Sequence, residues 1–512
     1  MSEKVRNNKG VKTGREPFSL SLIAPETLSL LKEIAGHISL KKGQAYIVGG
    51  LIRDALLGRD TADIDLAVKG NAPEIARALA GILHGTFVLL DSENGVGRVV
   101  LPRETDDSEP RTVDIAAMNG TITADLARRD FTIDAMALDL REAAGGGTIA
   151  GLFDPLHGRD DLDHGILRTV SETAFSSDPV RLLRAVRLAT ELGFHIEPKT
   201  AAQVRASAAL LAAVPGERVR EELLRLFNAS RGGRFLMEMD GLGLLSVLFP
   251  EMDAARGVGQ PAEHHWDVFT HSIMTVSAID FILHQGVWEF PAAGILEAMP
   301  WPAECAGHFE QTVAGGSTRR TLLKLAALLH DVAKPQTKAP DSNGRMRFLG
   351  HAEQGAETAA AILERLRFSV RETRLVSVMV KYHLRPTQIG EPPSHRAIYR
   401  YFRDTGDAGI DILYLSLADH LATRGPELIP ENWRLHTGNV RYVLEEHFKR
   451  ESVIPPPKLI DGNDLMNVFG LAPGPRLGAL LEAVREAQAA GELTTRQEAL
   501  EYIHNALNEE KT

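Results

Sequence analysis

The spacing of apolar residues changes about one third of the way along the chain. From about Ser21 to Leu167, short Val-, Ile- and Leu-rich runs recur between polar breaks: AYIVGG, DIDLAV, TFVLLD, GRVVLP and TVDIAAM. Such runs, bounded by turn residues, predict strands. PEIARALAGIL lies among them with apolar residues three and four apart, which predicts a helix. Strands interleaved with helices imply a head built around one sheet. After about Arg168 strand signals nearly vanish. PVRLLRAVRLATEL, GERVREELLRLFN, TLLKLAALLHDVAK, EQGAETAAAILERL and RLGALLEAVREAQAAG all carry the helical period. Gly/Pro breaks near residues 257–265, 300–307 and 453–462 mark boundaries. The expected fold class is α+β, a mixed-sheet head followed by an elongated all-α body. Expected domains are a tail at 1–20, the head at 21–167, a helical neck at 168–260, a helical domain at 261–425 and a helical C-terminal domain at 426–512.

Composition adjusts this picture only slightly. Cys305 is the sole cysteine of 512 residues, which excludes a disulfide framework and suits a reducing cytoplasm. The net charge of −11 gives no general affinity for polyanions but allows a local basic surface. The first twenty residues are polar and basic, as expected of a flexible tail and not of a signal peptide. No run approaches the eighteen apolar residues of a membrane span.

The candidate chemistry of the head begins at Tyr46–Val68, YIVGGLIRDALLGRDTADIDLAV. In a strand, residues two apart share a face, so Asp63 and Asp65 project together. Asp114, within TVDIAAM, is a third carboxylate in an apolar strand. Carboxylates without neighbouring Cys or His suit Mg²⁺ or Mn²⁺, and three on adjacent strands can serve phosphoryl transfer. Gly49 and Gly50 end the preceding strand and allow close approach of a ligand to the backbone, with Arg53 in the helix that follows. Taken singly, the glycines also read as a plain turn and the aspartates as a solvated loop. In RRDFTIDAMALDL, Arg128 and Arg129 can fork onto phosphate or ribose and Asp130 can fix them. The alternative is a surface basic pair with Phe131 in the core. In SSDPVRLLR, Asp178 and Pro179 suit the start of a helix that aligns Arg181, Arg184 and Arg187.

GGLIRD, DID, RRDFT, DPLHGRDDLDHGILRTV (154–170) and DPVRLLRAVRLATELGF (178–194) together resemble the tRNA nucleotidyltransferase/poly(A) polymerase family of the bacterial and eukaryotic type. That resemblance implies a template-independent, Mg²⁺-dependent transferase that uses ATP and/or CTP at RNA 3′ ends, adding CCA, CC or A to tRNA. It implies metal ligation by Asp63 and Asp65, joined by Asp114, triphosphate contact by Gly49, Gly50 and Arg53, and nucleotide contact by Arg128, Arg129, Asp130 and Arg184. It further implies base selection by Asp178 and Arg181. Two positions depart from the family pattern. Ser177 stands where a Glu usually anchors the base-reading arginine, and Asp134 stands where Asn is usual. A poly(A) polymerase of the same fold is the close alternative. Its basic, aromatic GRRF-like signature is replaced here by ENGVGRVVL.

Ligand-type residues of a second kind occur further on: His271, His330, Asp331, His351, His383 and Asp419. Imidazoles and carboxylates on separate helices suit a divalent transition metal or a dinuclear centre. One histidine on such a face is otherwise a satisfied core residue. The order H…HD…H…H…D, with Lys334 and GHAEQGA, resembles the HD phosphohydrolase superfamily and implies metal-assisted phosphoester cleavage. His264 and His265 compete with His271 as first ligand, and the helical setting of THSIMT favours His271. This raises a reading of another class, a hydrolase whose head only binds RNA. Pro473, Gly474 and Pro475 precede a helix that either meets an RNA phosphate or is simply capped.

Overall fold

The structure is a computed structural model that describes residues 15–40, 44–61, 63–92, 95–102, 111–118, 120–283, 287–290, 294–451 and 458–509. Most of the expected tail, the start of ENGVGRVVL and the first half of the 453–462 break lie outside these residues. The chain divides into two compact units, Met1–Leu211 and Ala212–Thr512.

The first unit is built on a sheet of eight strands: β1 (Arg15–Ser19), β2 (Ala45–Val48), β3 (Asp63–Val68), β4 (Thr86–Asp91), β5 (Val96–Val100), β6 (Thr112–Ala117), β7 (Ala137–Asp139) and β8 (Ile149–Phe153). Their order is β1-β8-β7-β2-β3-β6-β5-β4. β3 and β6 run parallel and every other neighbouring pair is antiparallel, so the sheet is mixed. The outer strands β1, β7 and β8 were not expected. β1 recruits residues 15–19 from the polar leader by pairing with β8, and β7 is too short to alternate visibly.

Helices α1 (Pro25–Leu40), α2 (Gly50–Leu56) and α3 (Ala72–Ile82) accompany the sheet. α3 starts cleanly because the Asn71 side chain accepts the Glu74 amide at 3.3 Å and a proline occupies its first turn. Leu31 and Ile34 of α1 and Ala76 and Leu79 of α3 share one core with Ile64, Leu66 and Val68 of β3 and Val113 and Ile115 of β6. Alternation sends Asp63, Asp65 and Asp114 to the opposite face. There a smaller cluster of Val48, Ala67, Met118, Ile122, Leu126, Ala135 and Ala137 closes the sheet.

The Thr132–Asp134 turn is brought up to the site by a close backbone approach. A Cβ on Gly158 would lie 2.1 Å from the Thr132 carbonyl oxygen. Asp154 fixes the Gly158 loop by accepting its amide and that of Arg159, at 2.7 and 2.9 Å. The helix expected to start at Asp178 is regular from Arg181 to Leu192. A tighter i→i+3 turn precedes it, with the Arg181 amide bonded to the Asp178 carbonyl at 3.1 Å, so the chain begins to coil where expected but reaches α geometry later.

The second unit is helical, with one correction to the all-α expectation. Thr312–Ala314 pairs with Ser317–Thr318, and Lys338–Pro340 pairs with Met346–Phe348. Both ribbons are too short to show an alternating pattern. Helices Val268–Ile282, Arg319–Leu329, His351–Arg365, Val370–Tyr382 and Gly409–Arg424 pack on one another. Capping boxes at Thr318/Thr321 and Ser369/Glu372 fix where two of them begin. The C-terminal helices have a core of their own around Leu465, Leu480, Val484 and Ile503. No helix among the described residues is long and apolar enough to cross a membrane.

Gly158 and Gly193 separate two kinds of glycine requirement. Gly193 has φ +72° with open space around it, so Gly193→Ala should cost only backbone strain, about 1 kcal/mol. Gly158→Ala drives a methyl into backbone that cannot rotate away and should cost about 3 kcal/mol. Denaturant midpoints of the two variants check this; equal losses would contradict the packing described.

Candidate active sites

In the first unit Asp65 and Asp114 are direct partners across the parallel β3–β6 pair, and Asp63 faces Thr112 two residues earlier on the same face. Each carboxylate has its own neighbour. Thr112 Oγ1 donates to Asp63 Oδ1 at 2.7 Å. Arg98, on β5, forks onto Asp114 with both hydrogen bonds at 2.7 Å. Asp65 lies beside Arg129 and Gly49. Burial first, then the Asp114 charge, push Asp65 up to about 6 against the pull of Arg129. Gly49 has φ +74°, and a Cβ there would stand 2.7 Å from Asp65 Oδ2 and 3.2 Å from an Arg129 nitrogen. Glycine at this position therefore keeps the backbone against the carboxylate. Gly50 opens α2 directly afterwards.

Around these carboxylates is a network of arginines. Arg53 forks onto Asp54 at 2.9 Å in both bonds and reaches Asp134 Oδ1 at 2.7 Å. Asp134 is buried and also pairs with Arg184 at 3.7 Å. Arg184 pairs with Asp130 at 2.8 Å. Asp130 is buried, yet Arg184 and Arg181 hold it below the usual carboxylate range. Arg128 and Arg129 share Asp125, at 2.6 and 3.7 Å. Arg181 lies 4.0 Å from Asp178. It donates to the carbonyls of Ala174, Arg129 and Arg128 at 3.4, 3.4 and 3.2 Å. Ser177 instead turns its hydroxyl onto the Ala174 carbonyl at 2.9 Å. Backbone carbonyls thus hold Arg181 where an acidic side chain was expected. Arg187, expected on the same face as Arg181 and Arg184, is buried and tied to Glu191.

Sequence reasoning missed Arg98. Its position in GRVVLP resembles a solvent-facing strand residue, and only the β5–β6 register reveals that it faces Asp114. Asp125 was also missed, because only the turn geometry shows it serving both arginines.

In the second unit the six expected residues converge. His330 follows the last turn of Arg319–Leu329, His383 follows that of Val370–Tyr382, and His351 opens its helix after Gly350 at φ +80°. Each turns Nδ1 onto the carbonyl three residues earlier: Ala327 at 2.8 Å, Phe348 at 2.6 Å and Val380 at 2.7 Å. A carbonyl only accepts, so Nδ1 carries the proton and Nε2 is left as a ligand atom. Asp331 lies among the Nε2 atoms. Its Oδ2 is 3.2 Å from His330 and 3.5 Å from His271, and its Oδ1 is 3.4 Å from His351 and 3.7 Å from His383. Asp419 Oδ1 reaches His271 at 3.0 Å and His330 at 3.8 Å.

This donor set fits divalent cations. Asp331 is buried, pairs with Lys334 Nζ at 2.6 Å, and has no hydrogen bond of good geometry to either oxygen. His351 and His383 point Nε2 atoms at each other 3.3 Å apart. Facing lone pairs beside a carboxylate repel unless a cation or proton lies between them. Burial, then the charge of His330, depress His383 to about 3, which disfavours the proton there. Two ligand groups, His271–His330–Asp331 and Asp331–His351–His383, share the one carboxylate. Of the competing histidines, His265 pairs outward with Glu427 at 3.5 Å. His264 packs edge-on against His271, and burial depresses it to about 4.

Residues 45–168 match the family model "Poly A polymerase head domain", 193–256 the "Probable RNA and SrmB- binding site of polymerase A", 302–424 the "HD domain", and 449–503 a tRNA nucleotidyltransferase domain 2. The A-adding tRNA nucleotidyltransferase of Deinococcus radiodurans is 36% identical over 90% of this chain and 94% of its own. The CC-adding tRNA nucleotidyltransferase of Thermus thermophilus is 34% identical over 90% of this chain and 93% of its own. Among solved structures, the Thermotoga maritima CCA-adding enzyme complexed with tRNA matches with a TM-score of 0.59 at 20% identity, covering 96% of this chain and 99% of that one. A CCA-adding enzyme with ATP matches with a TM-score of 0.63 at 20% identity, covering 96% and 99%.

A cation that binds the folded cluster and not the unfolded chain must stabilise the protein, by about 3 kcal/mol at a hundred times its dissociation constant. Excess Mn²⁺ should therefore raise the melting temperature by several degrees, and chelation should reverse it. Asp331→Ala should remove most of this response in differential scanning calorimetry. A response of undiminished size in that variant would contradict the shared-carboxylate arrangement.

Proposed function

Because the chain belongs to the tRNA nucleotidyltransferase/poly(A) polymerase family, we propose that it extends tRNA 3′ ends from CTP and/or ATP, adding CCA or one part of it, with release of pyrophosphate. The observation that carries this reading is the alignment of Asp65 with Asp114 across β3–β6, with Asp63 on the same face and the arginine network beside them. Mg²⁺ held by Asp63, Asp65 and Asp114 would activate the RNA 3′-hydroxyl and neutralise the leaving pyrophosphate.

The protein's own groups orient the reactants. Gly49 and Gly50 leave the backbone bare for the triphosphate, and Arg129 stands at the same edge. Arg53, held by Asp54 and Asp134, supplies positive charge behind it. Asp178 and Arg181 present a fixed donor and acceptor pattern to a base edge, supported by the carbonyls that hold Arg181. Asp130 and Arg184 lie next to that pair and suit the ribose. Arg128 is the more exposed arginine and suits a phosphate of either substrate.

The second unit is assigned an independent hydrolytic activity on phosphoesters. Divalent transition metal held by His271, His330, Asp331, His351, His383 and Asp419 would supply an activated water for that cleavage. The facing imidazoles and the Asp331 carboxylate buried among them support that reading. A tRNA substrate implies work in the cytoplasm. The helical segment 168–260 and the C-terminal helices are assigned to holding the RNA.

Three tRNAs, ending before CCA, after C and after CC, test the repertoire with labelled CTP and ATP given singly and together. Stepwise addition of C, C and A defines a full CCA enzyme. Addition confined to A on the CC-ended tRNA, or to C, defines a partial one. Asp65→Ala should lower incorporation by at least about a thousandfold, roughly 4 kcal/mol of transition-state stabilisation. His330→Ala should abolish hydrolysis of a generic phosphodiester such as bis(p-nitrophenyl) phosphate and spare incorporation. Incorporation that persists in Asp65→Ala would defeat the assignment of the head.

A further inference from the structure

Arg98 is the charged group at the head carboxylates for which the transfer reaction, as described, has no use. It sits on β5 directly opposite Asp114 of β6, on the face that carries Asp63 and Asp65. Its Nε bonds Asp114 Oδ1 and its terminal nitrogen bonds Asp114 Oδ2, both at 2.7 Å. This fork occupies both carboxylate oxygens on the side where a hard cation binds best. Asp63 and Asp65 add to its attraction, and the guanidinium is held more firmly charged than an ordinary arginine, first by the Asp114 hydrogen bonds. Its side chain is 38% exposed, so a displaced guanidinium can be solvated.

We infer that Arg98 competes with divalent cations for the Asp114 carboxylate and so sets the cation concentration at which the head works. The inference rests on reading Asp114 as a cation ligand. A guanidinium and a divalent ion cannot both take the same pair of oxygens, and at short range they repel each other. With Arg98 in place, a cation must displace it, so ligation at Asp114 is weakened but the carboxylate stays aligned for the incoming ion. Asp65 and Asp63 are outside the fork. The ion they hold with Asp114 is therefore the one whose affinity Arg98 tunes. Arg98 acts through Asp114 and is a positioning residue, not a catalytic one.

The test is a Mn²⁺ titration of the full-length protein without nucleotide or RNA, with free Mn²⁺ read by electron paramagnetic resonance. Asp65→Asn identifies which bound ion belongs to the head, since the histidine cluster also takes up metal. Arg98→Gln should bind that ion roughly tenfold more tightly, the size expected for removing one charge near a divalent ion in a partly solvated site. Arg98→Lys keeps the charge but loses the fork, and its affinity should fall between the two. The half-saturating Mg²⁺ concentration for nucleotide incorporation should drop in the same order. Unchanged or weaker Mn²⁺ binding in Arg98→Gln overturns the inference. Asp114→Asn separates the two possible failures. If it loses the ion while Arg98→Gln does not tighten it, only the role of Arg98 falls. If it leaves the ion untouched, Asp114 is not a ligand and both readings fall.

Discussion

Strand β3 has two faces that cannot exchange places. Ile64, Leu66 and Val68 are at most 1% exposed beneath α1 and α3, while Asp63 and Asp65 point the other way. Burying each aliphatic side chain contributes about 1.5–3 kcal/mol. A slip of one residue in register would expose all three and bury two carboxylates under the helices. β6 is under the same constraint, because Val113 and Ile115 are fully buried on either side of Asp114. The hydrophobic core thus sets where the acidic residues stand. Burial and the nearby Asp114 charge both raise Asp65, and that cost is sustained by apolar burial on the reverse of the same two strands.

Two different solutions to crowded ligand groups appear in one chain. In the head the acids are on a partly exposed sheet face and are balanced by side chains: Arg98, Arg129 and a threonine hydroxyl. In the second unit the ligands are buried and fixed by the backbone. Three histidines at helix ends each commit Nδ1 to a local carbonyl, so the ring orientation is set before any metal is considered. A partly exposed site balanced by side chains suits ions that enter and leave. A buried site of imidazoles around one carboxylate suits ions that stay.

The sequence revealed what periodicity and local chemistry encode. The alternation in DIDLAV and TVDIAAM located both strands and their polar faces, and the helical setting of THSIMT separated His271 from His264 and His265. Long-range pairing was not legible. β7 has only three residues, and β1 is defined by its partner β8 and not by its own composition. The short ribbon at Lys338–Pro340 lay inside a body read as helical. Arg98 gained meaning only from the β5–β6 register. Arg187, spaced like the two arginines before it, proved buried, because the helix turns that side inward and Glu191 compensates its charge.

The two departures from the family pattern, at Ser177 and Asp134, bear on the same group of arginines. A serine where an acid is usual removes one negative charge beside Arg181. An aspartate where asparagine is usual adds one between Arg53 and Arg184. The formal charge of the cluster is unchanged, but the acid has moved from beside Arg181 to between Arg53 and Arg184. Arg181 keeps Asp178 at 4.0 Å, and its hydrogen bonds go to carbonyl oxygens, which accept them without cancelling its charge. If Arg181 reads the base as proposed, its guanidinium would meet the base edge with more of its field intact. Arg53 and Arg184, tied to buried Asp134, give up some of theirs. On the proposed reading this would shift the balance of affinity from triphosphate toward base, a bias that favours selectivity among nucleotides over tight binding of all of them.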